Sequence, residues 1–217
     1  MCFNAAISLN TFMFSAFALA LLIYNNKYTQ YKIPELDNKW FYLLFFSVIA
    51  MQLIEYFLWK NINNAKLNNL FSILGSVFIF LQPMFSIQLI TDATQKTIFQ
   101  NIYLLIFTPI YLYTYYTQKI HTTLSADHHL CWNWVPFQEK YYLGAFWCFC
   151  LLFPLIINSN HIFLGLLSLL LLIIIFYNYW LDKSFNSLWC LSVNMYSVFV
   201  IIQLLFVLPF VGKYNFC

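Results

Sequence analysis

The stretch WFYLLFFSVIAMQLIEYFLW occupies residues 40 to 59 and carries a single ionisable group, Glu55. As an α-helix, its 20 residues would be about 30 Å long, which matches the hydrocarbon core of a bilayer. Gln52, Glu55 and Trp59 recur at helical spacing, so they share one face of this helix. Because a carboxylate at membrane depth is costly unless it is protonated, paired or hydrated, Glu55 marks a candidate functional site.

The composition of the whole chain is that of a membrane protein. Its 217 residues are 63% hydrophobic and only 8% charged, whereas soluble domains contain about 25% charged residues. No hydrophilic segment is long enough for a second domain, so one membrane domain over residues 1–217 is predicted. The net charge of +3 is small and scattered, which excludes a nucleic-acid partner and leaves the lipid bilayer as the predicted partner.

All ten basic residues are lysines. This bias is typical of AT-rich genomes such as those of some large DNA viruses, and a viral protein would lie in a host or virion membrane. The lysines divide five and five between the two sides of a seven-span topology, so the positive-inside rule favours neither orientation.

Hydrophobic segments separated by polar loops predict an all-α integral membrane bundle of about seven transmembrane helices. The sixth has almost no polar stripe, so we expect it to face lipid over much of its surface. The polar segment 116–141 is the longest connection, and its alternating pattern favours a short hairpin lying on the membrane surface, with Trp132 and Trp134 as interface anchors. The predicted spans are residues 5–24, 40–59, 70–90, 98–115, 142–157, 162–181 and 187–211.

Seven spans would gather many polar and sulfur-containing side chains near one membrane face. The N-terminus, the end of span two, the 116–141 segment and the start of span seven would all lie on that side. Polar groups thin out towards the opposite face, which disfavours a continuous polar path across the bilayer. The candidate polar site comprises Cys2, Gln52, Glu55, Trp59, Ser187, Trp189, Cys190 and Asn194. We expect Glu55 to point into the bundle and to meet span seven near Cys190 or Asn194, because its carboxylate would have no partner on the lipid side.

Thiolate and imidazole groups in the same layer suit Zn²⁺ or copper. The spacing matches no zinc-finger pattern, and the adjacent residues His128 and His129 would point in opposite directions on an extended strand. The alternatives are interfacial histidines, buried cysteines, or a disulfide from Cys2 to Cys190 or Cys131 on an oxidising side. No metal site is therefore predicted, and no cofactor is indicated; the residues that would be available are Cys2, His128, His129, Cys131 and Cys190.

Four patches of the chain resemble an uncharacterised family of small multipass membrane proteins from bacteria and large DNA viruses. The opening MCFNAAIS is similar to the family's Met-Cys-Phe-Ser start, with Asn4 in place of Ser. QLIEYFLW resembles its Gln-x-x-Glu-Gly-x-x-Trp stretch, with Tyr56 in place of Gly. FLQPMFSIQ resembles a proline-bearing third span, and FNSLWCLSVNMYS a Ser-x-Trp-Cys stretch near the C-terminus. The resemblance implies a multi-span membrane fold and no activity.

Three functions are compatible with these patterns. The first is a binding or structural membrane protein without turnover. The second is a membrane-embedded enzyme or redox protein that uses Glu55 with Cys2 or Cys190. The third is a small transporter or channel. A retinal protein is excluded because spans six and seven contain no lysine for the Schiff base, and the four histidines fall in loops rather than at the depth that a seven-span zinc hydrolase requires.

Overall fold

The computed structural model describes residues 4–125, 128–135, 141–179 and 194–210. This part of the chain is predominantly helical. A short 3₁₀ turn, Pro34–Leu36, joins the first two helices. The helices are α1 (Ala5–Tyr28), α2 (Lys39–Lys60), α3 (Ala65–Ile87), α4 (Ala93–Thr117), α5 (Tyr141–Ile157), α6 (Ile162–Tyr179) and α7, which begins as Met195–Ile202 and continues through a π-helical turn to Phe210.

Three of these helices, α1, α2 and α3, are long and apolar enough to cross a membrane. The described apolar parts of α5, α6 and α7 are shorter. Helix α4 has 25 residues, but its tyrosines and the polar residues of its first turns make it less apolar than the other three. The structure therefore supports a helical membrane protein by length and composition, with three candidate spans.

Asparagine and aspartate side chains determine where the helices begin. Asn38 accepts a hydrogen bond from the Trp40 amide, and Asn64 accepts one from the Leu67 amide. Asp92 caps α4 in the same way through the Gln95 amide. As a result α3 and α4 begin five residues earlier than the predicted starts at 70 and 98; hydrophobicity alone misplaced both because their first turns are polar.

Helix α2 lies at the centre of the described bundle. Of its most apolar stretch 67% is buried, against 28% for α1 and 39% for α3. It packs between α1 and α3, while α3 also contacts α4 and α5. The ring of Phe57 stacks on Phe71, and Phe46 meets Phe78 edge-on. These pairs show that α2 and α3 run antiparallel, so the end of α2 and the start of α3 share one end of the bundle.

A two-stranded antiparallel hairpin closes that end. Strand β1 (Thr122–Leu124) pairs with β2 (Leu130–Trp132), with Thr123 opposite Cys131. The predicted hairpin is confirmed, and Leu130, Trp132 and Trp134 are each at most 1% exposed and belong to the hydrophobic core. Its position on the membrane surface stays a prediction. The interface role predicted for the two tryptophans was wrong, because their rings, stacked at 5.0 Å, are buried within the protein.

The turn between α5 and α6 lies at the opposite end. A Cβ placed on Gly165 would lie 2.9 Å from Ile156 Cγ1 and 3.0 Å from the Ile156 backbone nitrogen, so α5 and α6 are in close backbone contact. His161 stacks on Phe41 with ring centroids 5.2 Å apart. The Asn158 amide donates to the Leu89 carbonyl across the same end, at 2.9 Å.

Helix α6 forms part of the outer surface. Its contacts within the described bundle are chiefly with α5, and Leu166, Leu170 and Ile173 are about half exposed or more. Ser168 is buried, and its hydroxyl donates to the Leu164 carbonyl of the same helix. This arrangement agrees with the lipid-facing position predicted for the sixth span.

Candidate functional site

Gln52 and Glu55 of α2 are both completely buried. Their spacing of three residues puts the two side chains on the same face of the helix. Both residues interact with other groups of the protein. The prediction that Glu55 lies inside the bundle, and not against lipid, is therefore confirmed by its burial.

Trp59 lies one turn closer to the end of α2 than Glu55. Its ring is partly buried, and its indole Nε1 is buried without a hydrogen-bond partner among the described residues. The Nε1 of Trp132 in the hairpin is in the same condition. Buried indole N–H groups usually have a partner, so this end of the bundle holds two hydrogen-bond donors that the described residues do not satisfy.

Asn68 and Ser72 of α3 hold the hairpin in place. Asn68 pairs with the backbone of Thr122 in both directions: its Nδ2 donates to the carbonyl at 2.9 Å, and its Oδ1 accepts from the amide at 2.8 Å. The hydroxyls of Ser72 and Thr122 are hydrogen-bonded at 2.8 Å, and the Trp134 indole donates to the same Thr122 oxygen at 3.0 Å. The hairpin is thus docked by a buried network rather than by apolar contact alone.

Trp134 carries the hairpin down to the depth of Glu55. A Cβ added to Gly75 would lie 3.1 Å from two atoms of the Trp134 ring and 3.6 Å from Cγ2 of Ile54, the residue before Glu55. The missing side chain at Gly75 therefore makes room for the indole between α3 and α2. In this way the hairpin covers the polar layer from the side of the bundle end.

Helix α1 contributes serines to the buried face that meets α2 and α7. Ser8 and Ser15 are fully buried. On α7, Asn194 and Ser197 are also buried, and neither Asn194 amide atom nor the hydroxyls of Ser15 and Ser197 have partners in the described part of the chain. Polar side chains that are buried without partners are candidate ligand contacts.

Four predicted site residues lie outside the described residues. They are Cys2, Ser187, Trp189 and Cys190. The predicted meeting of Glu55 with span seven near Cys190 or Asn194 therefore stays a prediction. Gln52, Glu55, Trp59 and Asn194 are the described members of the predicted site, and all of them except Trp59 are almost fully buried.

The described ranges contain no group of three or more metal-ligating side chains. His128 is exposed and has a φ of 58°, in the left-handed region, whereas its neighbour His129 is only 7% exposed. The two rings therefore occupy different environments, as expected for adjacent residues. Cys131 is buried, and its Sγ donates to Asn133 Oδ1 at 3.4 Å. Cys2 and Cys190, the other proposed ligands, are outside these ranges.

Polar residues on α3 that the sequence analysis passed over dock the hairpin or lie buried in the bundle. Asn68, Ser72 and Ser76 recur every four residues, and this i, i+4 stripe was the available signal. Gln82 continues the buried face deeper in the bundle; it is 1% exposed, and both atoms of its amide are without partners among the described residues. The prediction that polar groups thin out towards the opposite face is therefore wrong for α3.

The environment of His161, in the turn between α5 and α6, changes the pKa of its imidazole. Burial lowers the pKa of its imidazole below the ordinary value of 6.5, because the charged form loses hydration. Its Nδ1 has no hydrogen-bond partner within the described ranges. The ring is therefore held neutral at physiological pH.

Comparison with known proteins gives no match to a family model, to a curated protein or to a solved structure.

Proposed function

We propose that the protein is a multi-pass integral membrane protein that binds a small hydrogen-bonding or cationic ligand, a proton included, at Glu55. The observation that carries the proposal is the complete burial of Glu55 in α2, the most buried of the three membrane-length helices. An ionisable side chain inside a membrane helix is expensive to keep, so its presence favours a functional role. Seven spans and membership of the resembled multipass family remain part of this proposal.

The chemistry of the site supports binding. A buried carboxyl group is either protonated and neutral, or ionised and stabilised by a donor or a cation, so a cationic ligand would favour the ionised form. The indole Nε1 groups of Trp59 and Trp132, which have no partner among the described residues, lie at the same end of the bundle and add donors. A ligand that binds at Glu55 and accepts from one of these indoles would satisfy that N–H group as well.

The docked hairpin favours binding without turnover. Trp132 and Trp134 are buried over the end of the helices, and Asn68 and Ser72 fix them there. A closed site of this kind suits a ligand that stays bound. The enzyme alternative would need Cys2 or Cys190 beside Glu55, and this stays a prediction.

Glu55→Gln tests the role of the carboxyl group. Infrared difference spectra between low and high pH, recorded in lipid, are expected to lose a carboxyl band in Glu55→Gln. Glu55→Leu should lower the free energy of unfolding by about 1–3 kcal/mol, because the buried partners of Glu55 lose their hydrogen bonds. Glu35→Gln, at an exposed carboxylate, is the control. If Glu55→Gln and Glu35→Gln give the same spectra and Glu55→Leu unfolds like the wild type, Glu55 is not a binding group.

A small transporter is the second candidate, and the polar stripe of α3 favours it. Asn68, Ser72, Ser76, Gln82 and Ser86 are buried from the start of α3 to its last turn. Gln82 lies in the second half of this stripe, one turn before Ser86. Ion and proton flux into liposomes should then depend on Gln82 and fall in Gln82→Leu, with Gln88→Leu, at the helix end, as control. Equal flux in wild type, both variants and protein-free liposomes would rule transport out.

A further inference from the structure

A groove runs between α3 and α4 just below the hairpin. It has a volume of about 280 Å³, close to the lower limit of about 300 Å³ for small-molecule sites. Its walls are almost entirely apolar, and the Trp134 ring and Ile120 close its upper end. On α4 the wall residues are Thr108, Tyr111, Leu112, Thr114 and Tyr115.

The groove exists because α4 packs tightly only along its first part. There, the Tyr103 hydroxyl donates to the Phe80 carbonyl at 2.8 Å, and the Phe107 ring stacks on Phe146. Pro109 follows, and a proline inside a helix removes a backbone hydrogen bond and disfavours a straight continuation. Every α4 residue that lines the groove is adjacent to Pro109 or follows it.

One buried polar group in the wall of the groove differs from the others in its hydrogen bonding. The hydroxyl of Tyr111 is inaccessible and has no hydrogen-bond partner in the described part of the chain, and its ring packs edge-on against Phe80 at 5.1 Å. A buried hydroxyl without a partner costs about 1–3 kcal/mol.

A polar cleft of about 370 Å³ adjoins the groove at the same end of the bundle. It lies between the α2–α3 loop and β1, and its walls include Asn63, Lys119 and His121. The two cavities share one stretch of chain: Ile120 lines the groove, whereas Lys119 and His121 line the cleft. The Asn69 amide holds the Ile120 carbonyl at 2.6 Å, which keeps this dividing segment in place.

We propose that the groove and the cleft together hold one phospholipid, with an acyl chain against α3 and α4 and the phosphate beside Lys119. An apolar groove on a helix surface inside a bilayer meets acyl chains, which fill it. The charge of Lys119 and the amide of Asn63 complement a phosphate. His121 Nδ1 donates to the Lys119 carbonyl at 2.8 Å, which fixes its ring in the wall of the cleft and leaves Lys119 and Asn63 as the donors for the phosphate. A lipid in this position would also support the hairpin through Trp134.

Lipid retention by the protein in nanodiscs tests this site. The wild type, released from phosphatidylglycerol nanodiscs and measured by native mass spectrometry, should keep one phospholipid. Thr108→Trp fills the groove and should lower lipid retention about tenfold. Leu105 is 77% exposed on the outer side of α4, so Leu105→Trp should leave lipid retention unchanged. Lys119→Gln should weaken retention, while the matched Lys96→Gln, at the other end of α4, should leave it unchanged.

A second measurement uses the wild type alone and does not depend on variant folding. A phosphatidylglycerol with a photoreactive acyl chain should label peptides that contain residues 73–80 and 108–115, and inorganic phosphate should not displace it. Labelling spread evenly over α1 and α6, or retention that is equal in Thr108→Trp and Leu105→Trp, would overturn the proposal. The proposal rests on insertion of the protein in a bilayer: failure to enter nanodiscs refutes that membrane placement, whereas insertion without a retained lipid refutes this site alone.

Discussion

At one end of the bundle a hairpin closes the helices through side-chain hydrogen bonds, whereas at the other end α5 and α6 close against each other by backbone contact. The hairpin end depends on Asn68 and Ser72, which meet Thr122 at 54 and 50 residues further along the chain. The opposite end depends on Gly165, where no side chain separates the two helices. The first end therefore requires specific polar groups, and the second requires the absence of one side chain.

This difference predicts which substitutions each end tolerates. The hairpin end should be sensitive to the loss of a donor or acceptor and should accept small increases in volume, because a side chain can shift. The α5–α6 end should be sensitive to added volume, because backbone must move. The predictions that follow run from the largest expected effect to the smallest.

Asn68→Leu should produce the largest loss. It leaves both the amide and the carbonyl of Thr122 buried without partners, which we expect to cost about 2–4 kcal/mol. Unfolding in mixed detergent, followed by tryptophan fluorescence, measures the change. Asn63→Leu, at an exposed position of the nearby loop, is the matched control, and equal stability of the two variants would mean that the network does not hold the hairpin.

Glycine-to-alanine substitutions at the two ends compare their tolerance directly. At Gly165 the new Cβ would meet backbone atoms at 3.0–3.1 Å, so we expect a loss of about 1–3 kcal/mol from overpacking. At Gly75 the nearest atoms belong to the Trp134 ring at 3.1 Å, and a small tilt of the ring should limit the loss to about 1 kcal/mol or less.

The double variant Gly75→Ala/Trp134→Phe sharpens this comparison. Phenylalanine lacks the two ring atoms that the new Cβ would meet, so the effect of Gly75→Ala should vanish in that background. Ile156→Ala should rescue Gly165→Ala only in part, because the backbone contact remains. Full rescue at Gly165, or a larger loss at Gly75 than at Gly165, would contradict the distinction between the two ends.

The smallest expected effect is a pH dependence at His161. Burial lowers the pKa of this histidine below 6.5 in the folded state, so below that pH the unfolded chain binds the proton more readily. Stability from the neutral ring is then complete above about pH 6.5 and decreases as the pH falls towards the folded pKa. Thermal unfolding at pH 7.5 and 5.5 should show a smaller decrease in His161→Phe than in the wild type. An equal decrease in both would assign the effect to other groups.

The helical framework could be predicted from the sequence because its signals are local. Hydrophobicity over 40–59 indicated α2, and the spacing of Gln52 and Glu55 placed both on an inward face. The smooth apolar surface of α6 indicated its outer position. In each case the deciding residues lie within a few turns of one another, so a pattern of helical period contains the information.

The docked hairpin could not be predicted in the same way. Trp132 and Trp134 are as suitable for a membrane interface as for a core, and only the space at Gly75 decides between the two. Nothing in the sequence near Asn68 and Ser72 indicates that Thr122 is their partner, because Thr122 is distant in the chain. Gly165 likewise does not predict the α5–α6 contact, since a glycine in an apolar helix indicates a close approach only when the neighbouring helix is known.

The position of the hairpin has a consequence for the order of synthesis. Asn68 emerges from the ribosome 54 residues before its partner Thr122, and at about 5–20 residues per second this interval lasts roughly 3–11 s. During that time α2 and α3 can already associate, but the recess at Gly75 and the amide of Asn68 have no hairpin to receive. A nascent chain stopped in this interval would therefore leave the Asn68 side chain without its Thr122 partner and the recess at Gly75 unfilled.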